Sequence, residues 1–166
     1  MNAISRISSN TPWEPVVAYS RVVRAGDHVA VSGTTATDEQ GQIVGAGQMY
    51  VQARQALMNI RAALERAGVS LHDVVRTRMF VTDIARYAEA ARAHREFFAD
   101  SPPATSMVEV RRLIHPDMMI EIEADAYAAD ARTNSVSSPK PKTASKPKAS
   151  RKVVKKPAAK KPTRRK

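Results

Sequence analysis

The sequence predicts an α+β domain in which two helices lie across one face of a single mixed sheet, in the order β-β-β-α-β-α-β-β. Three observations predict it. Residues 49–67 place Val51, Ala53, Leu57, Ile60, Leu64 and Ala67 mostly on one helical face. Residues 74–81 alternate instead, with Val75, Thr77, Met79 and Val81 opposing Val74, Arg76, Arg78 and Phe80, as a strand requires. Around both, short apolar runs are cut by Gly, Asp and Pro turns.

From the N-terminus, the apolar stretches 17–23 and 28–33 are split by Ala25-Gly26-Asp27, a hairpin signal. Asp38-Glu39-Gln40-Gly41 is a second turn, followed by a short extended piece around Ile43 and Val44. The first long helix starts near Met49 and stops at Gly68. After the strand at 74–81, Asp83 is placed to cap a second helix through Phe98, with Tyr87, Ala90, Ala91, His94 and Phe98 as its stripe. Ser106–Val110 and Ile120–Tyr127 complete the strands. Val31, Val81, Val108, Val110, Ile120 and Ile122 are more apolar residues than one covered face needs. The second face is therefore expected to pack on another subunit in a cyclic homo-oligomer, the alternative being a thick monomeric core.

Charge divides the chain. The whole carries 27 Lys+Arg against 16 Asp+Glu, a formal +11. Residues 1–130 hold 13 Arg, no Lys and all 16 acids, a net −3, whereas residues 131–166 hold 10 Lys, 4 Arg and no acid, a net +14. We therefore expect a folded domain over 1–130 and a disordered Lys/Pro/Ala-rich tail over 131–166, where apolar surface is too scarce to offset an ordering entropy of roughly 1–2 kcal/mol per residue. Lys140, Lys142, Lys152, Lys155, Lys156, Lys160, Lys161, Arg164 and Arg165 make the tail a candidate for non-specific DNA or RNA binding, with nucleoid association a corollary. Its composition is similar to the tails of linker histones and some bacterial nucleoid proteins. No aromatic residue interrupts it, so base stacking and sequence-specific readout are not expected. A solubilising or protease-labile extension is the alternative.

Several classes are excluded or disfavoured. Without cysteine there is no disulfide, thiol nucleophile or Cys-ligated zinc. Four His at 28, 72, 94 and 115 lack ligand spacing, so neither metal nor cofactor is expected. The first residues form a poor signal peptide and no apolar run approaches the roughly 18 residues of a membrane span, so a soluble, cytoplasmic protein without a membrane partner is expected.

Three polar clusters interrupt apolar segments: Tyr19-Ser20-Arg21, Val31-Ser32-Gly33-Thr34-Thr35, and Ile120-Glu121-Ile122-Glu123-Ala124. Positions 19 and 21 share a face if that segment is extended, and Gly33 lets a ligand approach the backbone. A carboxylate amid apolar neighbours, such as Glu121, is paired, exposed or tuned for proton transfer.

Tyr19, Ser32-Gly33, the helix from Gln52 to Ile60, the strand from Val74 to Asp83, Phe97-Phe98, Pro103-Ala104, Val108-Glu109-Val110 and Ile120 to Ala124 resemble the reactive intermediate deaminase family (Rid, also called YjgF), over roughly Pro15 to Ala128. The resemblance implies a chorismate-mutase-like subunit in a homotrimer whose interface clefts bind small carboxylates or hydrolyse enamines and imines. It implies that Tyr19 and Glu121 are catalytic, Glu121 positioning water on a C=N carbon and moving the proton, with Ser32, Gly33, Thr105, Ser106 and Met107 lining the cleft. A buried structural carboxylate bonded to backbone N–H groups is the alternative for Glu121. Where deaminating members place a carboxylate-clamping Arg this chain has Thr105, and Met107 and Ala91 replace a common Cys and Asn. Arg21 is the candidate replacement, anchoring an acidic or carbonyl ligand from the opposite wall, unless it is a surface Arg paired with Glu14 or Asp27. Two other functions stay open: a non-catalytic metabolite-binding module, and a nucleic-acid-associating trimer driven by its tail.

Overall fold

A computed structural model describes residues 4–128; the expectations for residues 131–166 lie outside the described residues. Six strands form one sheet: β1 (Ile4–Ile7), β2 (Val22–Ala25), β3 (His28–Thr34), β4 (Val74–Val81), β5 (Ala104–Glu109) and β6 (Ile120–Tyr127). Their spatial order is β1-β2-β3-β6-β4-β5, with β4 and β5 parallel and the other neighbours antiparallel. Helix α1 (Trp13–Val17) is short, while α2 (Met49–Arg66) and α3 (Tyr87–Phe98) are the long ones. The order of six strands and two long helices is the expected one.

Helix α2 forms the centre of the core. Its Leu57, Ile60 and Leu64 are fully buried, with Ala53, Ala56 and Ala63 letting the helix sit close to the sheet. Each large side chain removed from water contributes about 1.5–3 kcal/mol. Gly68 ends the helix at φ +74, and Arg24 of β2 donates from Nη1 to the Ala67 carbonyl at 2.8 Å, satisfying one exposed end group. Gln52, fully buried, donates to the carbonyls of Gly45 and Asp117 and accepts from the Met119 N–H, clamping two loops to the helix.

Four expectations are corrected. The third strand is β1 at the N-terminus, not the piece around Ile43 and Val44, which makes only one bridge from Ile43 to Thr37. Residues Val16 and Val17 are helical rather than extended. Val31, Val81, Ile120 and Ile122 belong to the core beneath the helices, so they do not make a second apolar face. On α3 the buried residues are Ala90, Ala93 and Phe98, whereas Tyr87 and Ala91 are exposed. Asp83 caps a 3-10 turn at Ile84–Arg86, which leads into α3, by accepting from the Ala85 N–H at 3.0 Å.

Candidate functional site

Strict alternation along β6 divides the site from the core. Ile120, Ile122, Ala124 and Ala126 point at the helices, which leaves Glu121, Glu123, Asp125 and Tyr127 on the open face. Arg78 of β4, opposite Glu123 in register, meets Glu123 at 3.4 Å and Asp125 at 3.1 Å. Among the described residues, nothing hydrogen-bonds the Glu121 carboxylate, so the backbone-bonded alternative does not hold. Burial, then the neighbouring Glu123 charge, push its pKa above the ordinary carboxylate value, while Arg21 pulls the other way.

Between Val31 and Thr34 the β3–β6 register slips by one residue. The bulge falls on Ser32-Gly33, and such bulges re-aim side chains beside functional sites. A Cβ built on Gly33 would stand 2.0 Å from Glu121 Oε1, so only glycine leaves room for the carboxylate there. Ser32 donates its hydroxyl to the Ser20 carbonyl at 2.8 Å, tying the bulge to the segment that carries Tyr19 and Arg21.

Arg21 gathers this wall. It donates from Nη1 to the Gly33 carbonyl (2.8 Å), Thr34 Oγ1 (3.0 Å) and the Ser32 carbonyl (3.4 Å), from Nη2 to Tyr19 Oη (2.9 Å), and from Nε to Ser9 Oγ (3.3 Å). Tyr19 Oη is bonded in turn to the Thr11 hydroxyl. Tyr19 and Arg21 therefore meet, but through the guanidinium folding over the ring, not through strand alternation. Arg21 stands on the same wall as Glu121, and of its five N–H groups only one Nη2 hydrogen is left uncommitted. It reaches Glu14 through Ser9, which donates to Glu14 from both N–H and Oγ. Burial pushes the Glu14 pKa up, but bonds from Ser8 and Ser9 and the Arg21 charge outweigh it and hold the group below its ordinary value.

The β5 residues lie elsewhere. Thr105 is bonded to fully buried Thr77 at 2.8 Å, and Thr77 to His94 Nε2 of α3 at 2.9 Å, so Thr105 and, by alternation, Met107 face the helix side. Ser106 takes the other face with exposed Val108, whose register partner Phe80 stands opposite Glu121. Thr105 and Glu121 thus lie on opposite faces of one sheet and do not converge within a chain. Ser9 and Thr11 on one wall, and the bonded pair Thr77 and His94 on the other, escaped the sequence reading, which places Thr34 only within a polar cluster and Glu14 only as an alternative partner of Arg21. Each joins its wall by a contact far along the chain, for which local pattern gives no signal.

A family model described as Endoribonuclease L-PSP matches residues 9–128. A RutC family protein of Pyrococcus horikoshii is 40% identical over 121 residues, 72% of this chain and 94% of that protein. The 3-aminoacrylate deaminase RutC of Acinetobacter baylyi is 34% identical over 113 residues, 68% of this chain and 89% of the other. Among solved structures, a member of the YjgF/YER057c/UK114 family from Mycobacterium tuberculosis matches with a TM-score of 0.69 at 46% identity, covering 75% of this chain and 99% of that one.

Proposed function

The chain belongs to the endoribonuclease L-PSP (YjgF/Rid) family, and from that membership we propose that it hydrolyses reactive enamines or imines to ammonia and a carbonyl compound, in clefts between three copies of itself. One observation carries this above the others: Glu121 is a half-buried carboxylate with a raised pKa and no bond to a described residue, aimed over a bulge whose glycine makes room for it. A carboxyl group whose pKa is raised from the ordinary range towards working pH is better suited to general acid–base catalysis than an ordinary exposed one. Similarity to a 3-aminoacrylate deaminase adds support for the reaction class.

In this mechanism, protonated Glu121 gives its proton to the enamine carbon, forming an iminium. The resulting carboxylate takes a proton from water as the water oxygen bonds to the C=N carbon and the π pair moves to nitrogen. Glu121 then protonates that nitrogen, the C–N bond breaks, ammonia leaves, and the hydroxyl proton returns to Glu121 as the carbonyl forms. Tyr19, Ser32 and Gly33, held by Arg21, shape the wall beside it.

Ammonia release from a freshly generated imino acid tests the reaction. Glu121→Gln is expected to lower kcat by about 10²-fold or more with assembly unchanged. Gly33→Ala should also lose most activity but little stability, because its Cβ meets the end of a flexible side chain rather than backbone. Unchanged turnover in Glu121→Gln overturns the catalytic assignment.

The charge split favours a second activity, carried by residues 131–166: non-specific polyanion binding. Truncation after Arg132 should abolish salt-sensitive retention on DNA, and retention by the truncated chain refutes it.

A further inference from the structure

Thr105 stands on edge strand β5, and its hydroxyl is not free to turn. Thr77 Oγ1 lies 2.8 Å away and is bonded in turn at 2.9 Å to His94 Nε2. A hydroxyl has one proton, so the three groups share one order of donation. In the first order His94 donates to Thr77, Thr77 to Thr105, and Thr105 outward or to the Pro103 carbonyl at 3.3 Å. In the reverse order Thr105 donates to Thr77, Thr77 to a bare Nε2, and the Thr105 lone pairs are offered outward. Thr105 can therefore give a proton to a ligand oxygen or receive one from a ligand N–H.

This chain of groups is also uncharged. Burial holds His94 below the ordinary imidazole range, so it is neutral at pH 7. On the other wall Glu121, protonated in the mechanism above, brings no charge, Glu123 is paired with Arg78, and Arg21 has most of its donors committed to Ser9, Tyr19, Ser32, Gly33 and Thr34. A carboxylate-bearing substrate would gain one neutral hydrogen bond at Thr105 and no free cation to offset the loss of its hydration. An amide-bearing imine, with both an acceptor oxygen and N–H groups, uses either order and carries no charge to desolvate.

We propose that the Thr105 hydroxyl, aimed by Thr77 and His94, is the recognition group of the β5 wall and selects uncharged imines and enamines over carboxylate-bearing ones. The selection rests on the deamination proposed above. Thr105 touches the substrate in this arrangement, and His94 is a positioning residue that acts through Thr77.

The test measures ammonia release by the full-length protein from freshly generated 2-iminopropanamide and 2-iminopropanoate over a range of concentrations. Wild type is expected to show kcat/KM about tenfold or more higher on the amide. Thr105→Val should raise KM for the amide about three- to tenfold, the value of one neutral hydrogen bond, with kcat little changed. Thr105→Arg should move the amide-to-carboxylate ratio about tenfold towards the carboxylate. His94→Phe keeps the ring contact with Phe98, whose centroid lies 4.6 Å away, and should reproduce the KM of Thr105→Val, while His94→Gln, which retains a polar end, restores part of it. A general loss of packing would depress both substrates together and leave the ratio in place. Equal rates, a carboxylate preference in wild type, or a ratio unmoved by Thr105→Arg overturn this specificity and leave deamination standing. Ammonia from neither imine overturns both.

Discussion

In the proposed mechanism, Glu121 holds function and stability in opposition. Its folded-state pKa lies above the ordinary 4.5, because burial and Glu123 disfavour the charge more than Arg21 relieves it. The folded chain thus keeps a proton that the unfolded chain gives up. Its contribution to stability is complete below about pH 4.5 and is lost as pH rises through the folded pKa. Glu121→Gln should match wild type in urea melts at pH 4 and exceed it in stability at pH 7; a variant less stable than wild type at pH 7 would show that the carboxylate is bonded after all. The sequence made Glu121 visible because its neighbours Ile120 and Ile122 are apolar and Gly33 breaks a strand. It could not show Arg21 binding Ser9 and the Gly33 carbonyl, since those contacts depend on a turn of chain between residues 9 and 21 that no local pattern encodes.

That turn is α1, and it illustrates which elements are legible. Eighteen residues of α2 give enough turns for a 3.6-residue period to declare itself, and the eight-residue strands β4 and β6 do the same for alternation. Five residues of α1 cannot, and its exposed Val16 and Val17 imitate a strand. Strand β1 has only two apolar residues among four. On α3 the alanines at 88, 90, 91 and 93 make several faces equally apolar, so spacing alone could not choose the buried one. Helix α1 ends at Ala18 with φ 61 and ψ 50, the left-handed region, donating its N–H to the Glu14 carbonyl and turning the chain so that Tyr19 reaches Arg21. An L-residue pays about 1–2 kcal/mol there, most of which glycine avoids, offset in part by the greater freedom of glycine when unfolded. Ala18→Gly is therefore expected to stabilise the chain by about 0.5 kcal/mol and raise Tm by a few degrees in calorimetry. A lower Tm would mean that the turn is not held in this conformation.

At the scale of the whole molecule, the two halves of the candidate site determine what assembly must do. Glu121, Gly33, Ser32 and Tyr19 occupy one wall, while Thr105 and Met107 lie across the thickness of the sheet. The open face bears exposed Val108 and Tyr127, 48% and 53% accessible, beside the Arg78–Glu123–Asp125 cluster. Buried against a second copy, those side chains would add apolar contact without displacing the ion pairs, and the expected cyclic trimer would bring the Glu121 wall of one chain against the β5 wall of the next. Mixed assembly tests this geometry independently of substrate. Chains carrying Glu121→Gln lack the acid, and chains carrying Thr105→Trp block the opposite wall; each should be inactive alone. Unfolded together in equal amounts and refolded, they should regain about a quarter of wild-type ammonia release, because a random trimer pairs an intact acid wall with an intact β5 wall in one cleft of four. A mixture as inactive as its components would place both walls within one chain, or leave one of them outside the reaction.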